Sequence, residues 1–179
     1  VRITFSYEVI LQEKTIEEAK QLAPLPNVKP SDDFQVYLKG NRLIPLKGPI
    51  IELRDAMQLP NEPIVAAKKV YESLINSMVY NYKAPGAGLG DAIWACDSKT
   101  GDCSDYHSVF IGVCRSAGIP ADHEFGIPLR PARPNYPIKD WHCWAKFWVQ
   151  GPGWITVDAS EADKHPELKE YLFGTLSSD

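Results

Sequence analysis

GDCSDYHSVFIGVCRSAGIPA, residues 101–121, places a cysteine at the start of a helix between two acidic residues, Asp102 and Asp105. Asp102 can cap the helix, and Asp105 stands three residues on, an acidic version of the capping box. Cys103, Tyr106, His107, Phe110, Val113, Cys114 and Ala117 then form an inward stripe at helical spacing. Gly118 ends the helix and Pro120 prevents its resumption. A structural cysteine would serve anywhere along that stripe. One in the first turn feels the positive end of the helix dipole and unpaired N–H groups, both of which favour thiolate over thiol. Asp102 and Asp105 oppose this by charge. A thiolate here therefore wants a cation, and the histidines available are His107, His123, His142 and His165.

His142 fits best by pattern. It lies in WHCWAKFWV, residues 141–149, and QGPG joins this segment to GWITVDA, residues 153–159. The pair reads as an antiparallel hairpin. His142 and Asp158 are 16 residues apart, an even number, so an odd-length loop puts both side chains on one face of the sheet. Direct opposition needs a turn centred on Gln150. In that register Asp158 can hold the His142 imidazole and His142 can pair with Cys103, giving nucleophile, base and orienter.

Upstream, residues 61–82 read as a helix with Pro63 in its first turn. Its stripe is Ile64, Ala67, Tyr71, Leu74, Ile75, Met78 and Tyr82. KAPGAGLGD, residues 83–91, breaks it. That segment lacks the Gly-Lys-Ser/Thr and the preceding strand of a phosphate loop. Residues 1–12 alternate as a half-buried strand, and Thr15–Glu18 can cap a short helix. APLPNVKPSDD, residues 23–33, reads as loop, as does the proline-rich stretch 128–137. FQVYL (34–38) and LIPL (43–46) are short strand candidates. Residues 1–58 are thus expected to form a small β-rich region, and residues 59–179 the catalytic core.

With 179 residues the chain can bury a core without a disulfide or metal staple. The net charge of −4 and the lack of any basic run exclude nucleic acid as an expected partner. No run of 18 apolar residues occurs, so no transmembrane segment is expected. Four cysteines are too few for a disulfide scaffold. The first residue is Val1, which points to a processed chain or a fragment.

Taken together, GDCSDYHSVFIGVCRSAGIPA and WHCWAKFWVQGPGWITVDASEADKHPELKEYLFGTL resemble the bacterial transglutaminase-like superfamily, often described as candidate cysteine proteases. That family pairs a Gly-x-Cys-x-Asp helix start running into Arg-x-x-Gly-Ile-Pro-Ala with a His-x-Trp strand and a Gly-Trp strand ending in aspartate. The resemblance covers about residues 61–176 and implies Cys103 as nucleophile, His142 as base and Asp158 as orienter. NSMVYNYKAPGAGLGDAIWAC looks like the family's tyrosine-bearing lead-in, which makes Tyr80 an oxyanion-donor candidate beside its core-packing reading. Related chains continue past the FG-x-L segment, so truncation near Asp179 is expected. The implied fold is α+β and papain-like, a helix packed on an antiparallel sheet with the β-rich region attached. The implied activity is thiol-dependent acyl transfer on a protein or peptide substrate, most simply hydrolysis. Transamidation and a non-catalytic peptide- or wall-binding module are the alternatives.

By itself a cysteine on a helix stripe is most often packing. The order and spacing of the three motifs reverse that for Cys103, while Cys96, Cys114 and Cys143 keep the packing reading. Cys143 alternates away from His142 and is expected to stay out of its chemistry. A rival zinc site of Cys96, Cys103 and His107 lacks any Cys-x-x-Cys and leaves His142 and Asp158 without purpose, so neither metal nor cofactor is expected. His107 should be partly buried near the site, and His123 and His165 should be surface or loop. The five tryptophans lie between Trp94 and Trp154 and could wall a hydrophobic acyl channel.

Overall fold

A computed structural model describes residues 32–127 and 141–175. The strand expected at 1–12, the cap at 15–18, most of the 23–33 loop and the stretch 128–137 lie outside these residues. The described elements are a 3-10 helix (Asp32–Leu38), α1 (Pro49–Met57), α2 (Pro63–Ser77), β1 (Val79–Tyr80), α3 (Ala92–Ser98), β2 (Thr100–Gly101), α4 (Cys103–Ser116), β3 (Ala121–Gly126), β4 (His142–Val149), β5 (Gly153–Val157), α5 (Ala159–Lys164) and a last 3-10 turn (Pro166–Leu168).

Helix α4 is the centre. Its residues from Cys103 to Arg115 are all buried, because α1, α2 and α3 cover it on one side and the sheet covers the other. The sequence showed an inward stripe; the structure buries every face. The reason is that its polar residues find partners inside. Arg115 donates to Ala121 O at 2.9 Å, Lys39 O at 2.8 Å and Asp122 Oδ1 at 3.2 Å, which satisfies a charge that burial would otherwise penalise. Gly118, at φ 81, turns the chain away, and Ile119 N–H donates back to Cys114 O at 2.9 Å.

Strands β3, β4 and β5 form an antiparallel sheet in that order. Along β4 the residues alternate between half-buried and buried, and Phe147 on the buried side meets Phe110 of α4 at 6.1 Å between rings. The architecture is therefore α+β, a helix packed on an antiparallel sheet, as in papain-like folds.

Two strand expectations are overturned. FQVYL is a 3-10 helix: Phe34 and Tyr37, three apart, both pack on Trp154, at 5.7 and 4.9 Å between rings, and a strand's period of two would separate them. LIPL forms bends, because Asn41 Oδ1 accepts the N–H groups of Leu43 and Ile44 at 2.9 and 2.8 Å, a local turn that competes with extended pairing. Among the described residues 32–58 there is no strand, and Ile44, Ile50 and Met57 share one core with Val109 and Phe110. The β-rich region expected over 1–58 stands as a proposal for residues 1–31 alone, which lie outside the described residues.

Helix α2 starts as expected, with Pro63 in the first turn and the Glu62 carboxylate accepting from Val65 N–H at 2.7 Å. It stops at Ser77 rather than 82. Val79 and Tyr80 instead pair in parallel with Thr100 and Gly101, so non-local pairing overrides helical periodicity. Tyr82 ends 64% exposed, off any stripe.

Candidate active site

The site is built on the first turn of α4. Asp102 caps it: Oδ1 accepts from Ser104 N–H at 2.8 Å and from the Ser104 hydroxyl at 2.7 Å. Asp105 completes the box by accepting Asp102 N–H at 2.9 Å. Its carboxylate also takes Gly88 N–H at 2.8 Å and Gly90 N–H at 3.0 Å. Burial pushes the Asp105 carboxyl up, and these three N–H groups oppose that. The glycine-rich segment is thus a clasp on the helix start, its amides aimed at a side chain of the protein itself. Gly101 has no room for a side chain, since a Cβ there would stand 2.4 Å from Asp105 Cβ.

This clasp presents Cys103, 7% exposed, as the first residue of α4. The helix packs on β4 and on α5, the helix that follows Asp158. His142 Nε2 lies 2.5 Å from Asp158 Oδ2, and His142 is near enough to Cys103 for each side chain to shift the titration of the other. With Nε2 engaged by Asp158, Nδ1 is the ring nitrogen left for the sulfur. Asp158 follows β5, is buried to 3% exposure, and is fixed at its other oxygen by the Ser160 hydroxyl and Glu161 N–H, both at 2.9 Å.

The hairpin register differs in one respect from expectation. Val149 pairs with Gly153, so the three-residue loop centres on Gly151 rather than Gln150. The loop is odd, and His142 and Asp158 share a face. They stand diagonal by two positions, a separation long side chains span.

The electrostatics follow from this packing. Hydrogen bonding from Cys143 is the largest pull on the Cys103 thiol; with the bond to His142 it outweighs burial and Asp102 and lowers the thiol to about 5. Burial pushes His142 down, but the bonds to Asp158 and Cys103 win and raise it to about 10. Asp158 is pushed up by burial and pulled down further by His142, His107 and Glu161 N–H. The favoured state is an ion pair of thiolate and imidazolium backed by a carboxylate.

Tyr80 is close enough for the charge of Cys103 to act on it. Burial first, then Cys103 and Asp102, raise its phenol, which keeps the hydroxyl a donor. Its backbone N–H donates to Asp163 Oδ2 at 2.9 Å, Lys164 Nζ sits 4.4 Å from its ring centre, and Tyr106 OH donates to the same Asp163 oxygen at 3.0 Å.

The structure thus gathers Cys103, His142, Asp158 and Tyr80, and it corrects three expectations nearby. Cys143 is fully buried on the side of β4 opposite to His142, with its sulfur 3.8 Å from His107 Nδ1. His107 is fully rather than partly buried. His123 is a strand residue with a buried Nε2, not surface. The tryptophans do not wall one channel. Trp144 lies 6.1 Å from the His142 ring, but Trp148 and Trp154 form a separate cluster with Phe34 at 5.0 and 5.7 Å, and Trp141 is exposed against Phe125. Asp163 and the Asp105 clasp were missed; only the acidic spacing around Cys103 hinted at the latter. His107 has both nitrogens engaged, by Ala159 N–H and Cys143, so it is committed away from the rival zinc set. His165 is about half exposed, as expected.

A family model of the transglutaminase-like superfamily matches residues 52–159. A protein of Haemophilus influenzae described as uncharacterized is 29% identical over 161 residues, covering 79% of this chain and 44% of its own length. A protein-glutamine gamma-glutamyltransferase of Pseudomonas aeruginosa is 29% identical over 135 residues, covering 72% of this chain and 20% of its own length. The chain therefore spans less than half the length of these curated relatives. Among solved structures, a candidate cysteine protease from Cytophaga hutchinsonii shares the fold at TM-score 0.56 and 20% identity, over 88% of this chain and 50% of that one. The periplasmic domain of TgpA from Pseudomonas aeruginosa, bound to ethylmercury, aligns at TM-score 0.54 and 26% identity, over 76% of this chain and 51% of that one. This chain belongs to the transglutaminase-like superfamily.

Proposed function

We propose that this protein is a thiol enzyme of acyl transfer. What supports the reading is the 2.5 Å contact of His142 with Asp158, beside Cys103 at the first turn of a helix. The Cys103 thiolate attacks a carboxamide or peptide carbonyl carbon. The first-turn N–H groups of α4, with the Tyr80 hydroxyl, receive the oxyanion. His142, already protonated, gives its proton to the leaving amine, and an acyl-enzyme remains. Asp158 orients the ring and stabilises its charged form. His142 then takes a proton from the incoming water as that water attacks the thioester, and Cys103 leaves as thiolate.

Water is the acceptor we favour. A lysine-like amine is the second reading, favoured by the name of the Pseudomonas relative. Incubating the protein with peptide and glutamine-donor substrates, with and without a fluorescent primary amine, separates the two. Cleavage or deamidation unaffected by the amine supports hydrolysis; amine incorporated into the glutamine donor supports transamidation. A folded protein that turns over no substrate and whose Cys103 reacts only like a free thiol would leave the non-catalytic module standing. No step calls on a metal, so dialysis against EDTA is expected to leave Cys103-dependent turnover unchanged.

A further inference from the structure

We propose that Asp163 is a positioning residue for Tyr80: its carboxylate accepts the Tyr80 backbone N–H and the Tyr106 hydroxyl, and so holds the Tyr80 phenol beside the first turn of α4, where the oxyanion forms. The proposal rests on the reading of Cys103 as nucleophile and of Tyr80 as oxyanion donor.

Tyr80 belongs to the short strand β1, which pairs in parallel with β2 and sets Tyr80 opposite Gly101, two residues before Cys103. On that side the N–H groups of Val79 and Asn81 donate to Lys99 O at 3.0 Å and to Gly101 O at 2.8 Å. Backbone N–H groups alternate along a strand, so that of Tyr80, between them, points away from β2. Among the described residues this sheet has no third strand to receive it. Asp163 Oδ2 takes it instead, at 2.9 Å. The same oxygen accepts the Tyr106 hydroxyl at 3.0 Å, and Tyr106 is wholly buried in α4, three residues after Cys103. Burial first, then Asp163, push the Tyr106 phenol up, so it remains a donor. One carboxylate oxygen thus joins β1, α4 and α5, and it satisfies two donors that would otherwise be costly to leave unpaired.

Two further contacts fix the Tyr80 ring itself. It lies 6.3 Å from the Tyr106 ring, and Lys164 Nζ, from the residue after Asp163, sits 4.4 Å from its centre. Helix α5 has Asp158 as its cap and ends at Lys164. This one short helix therefore carries at its start the carboxylate that orients His142 and near its end the carboxylate that ties down Tyr80. The nucleophile is served twice from α5: by Asp158 through His142 and by Asp163 through Tyr80. Without the Asp163 acceptor β1 is free to shift, and a displacement of about 1 Å is enough to spoil a donor aimed at an oxyanion.

The test compares two reactions of Cys103, one that makes an oxyanion and one that does not. In the first, the thiolate attacks the carbonyl carbon of p-nitrophenyl acetate. The carbonyl electron pair moves to oxygen and returns as p-nitrophenolate leaves, and the burst of p-nitrophenolate gives the acylation rate. In the second, the thiolate displaces iodide from the methylene carbon of iodoacetamide, with no charge developing on a carbonyl oxygen; the mass of the Cys103 peptide reports it. Wild type, Tyr80→Phe, Asp163→Ala, Asp163→Asn and the double variant Tyr80→Phe with Asp163→Ala are compared near neutral pH, each checked by thermal melting. Tyr80→Phe is expected to slow acylation by about 100-fold, the loss of one oxyanion donor. Asp163→Ala should slow acylation by roughly 10-fold or more and leave alkylation within about twofold of wild type. Asp163→Asn keeps an acceptor oxygen and should hold acylation within about threefold. The double variant should be within about twofold of Tyr80→Phe, since Asp163 then has nothing left to position. A folded Asp163→Ala that acylates like wild type overturns the proposal. So does one that loses acylation and alkylation equally, or a double variant in which the two losses multiply. Asp163→Asn slowed by more than about tenfold in acylation also overturns it, which keeps the test decisive if the alanine variant does not fold. Unchanged acylation in Tyr80→Phe, or a wild type with no Cys103-dependent burst, is a different result: it removes the reading of Tyr80 or of Cys103, and the proposal with it.

Discussion

Cys103 is one sulfur atom whose state depends on three neighbours, and pH reads them separately. Its thiol sits near 5 and the His142 imidazolium near 10, so activity is expected as a broad bell. The acid limb comes from protonation of Cys103 as pH falls toward about 5, and the alkaline limb from loss of the His142 proton as pH rises toward about 10. An alkaline limb near the ordinary histidine value would mean that Asp158 does not hold the ring in solution. Cys103→Ala is expected to abolish turnover while the melting temperature stays within about 5 °C of wild type. A larger drop would return Cys103 to a packing role. His142→Ala should cost nearly as much activity, since members of one catalytic unit are not additive. Asp158→Asn should cost less, because its amide oxygen can still cap α5 while its NH2 faces the ring, which orients the imidazole imperfectly and no longer supports its charge.

At the scale of elements, Asp158 has a second duty: it is the N-cap of α5, accepting Glu161 N–H. Asp158→Ala should therefore lower stability by about 1 kcal/mol through the lost cap beyond what Asp158→Asn loses, measurable by urea unfolding. Equal stability of the two variants would show that the cap is replaced by solvent. Helix α4 carries a buried base with the opposite consequence. Burial lowers His107 to about 3, while in the unfolded chain it titrates near 6.5. Between these values the unfolded state binds the extra proton, so stability falls as pH drops. Wild type should lose up to about 1.4 kcal/mol per pH unit across this range from this group alone. A folded His107→Gln variant should show a shallower dependence of melting temperature on pH between 6.5 and 4. Parallel curves would mean that His107 is accessible to protons in the native state.

Across the whole molecule, the last described residues close the fold over the core. Phe173 bridges to Val157 of β5, Asp158 N–H donates to Leu172 O at 3.0 Å, and the buried Tyr71 of α2 donates its hydroxyl to Lys169 O at 2.7 Å. The segment that follows α5 thus ties α2 to the strand end that carries Asp158. Tyr71→Phe keeps the ring packed on Phe173, at 5.3 Å, but leaves a carbonyl without its donor. It should cost roughly 1 to 2 kcal/mol by denaturant unfolding. No measurable change would show that water reaches Lys169 O.

The sequence by itself determined the parts that rest on local chemistry. The start of α4 is written in Asp102 and Asp105, its end in Gly118 and Pro120, and the strands of the hairpin in their alternation, because caps, turns and side-chain period depend on neighbours within a few residues. The candidate residues Cys103, His142 and Asp158 were legible for the same reason, each marked by its motif. What tertiary structure decided depends on groups distant in the chain. Non-local pairing drew Val79 and Tyr80 out of a helix. Aromatic packing on the far end of the sheet made Phe34 and Tyr37 helical neighbours. The hairpin register, centred on Gly151, set His142 and Asp158 on a diagonal.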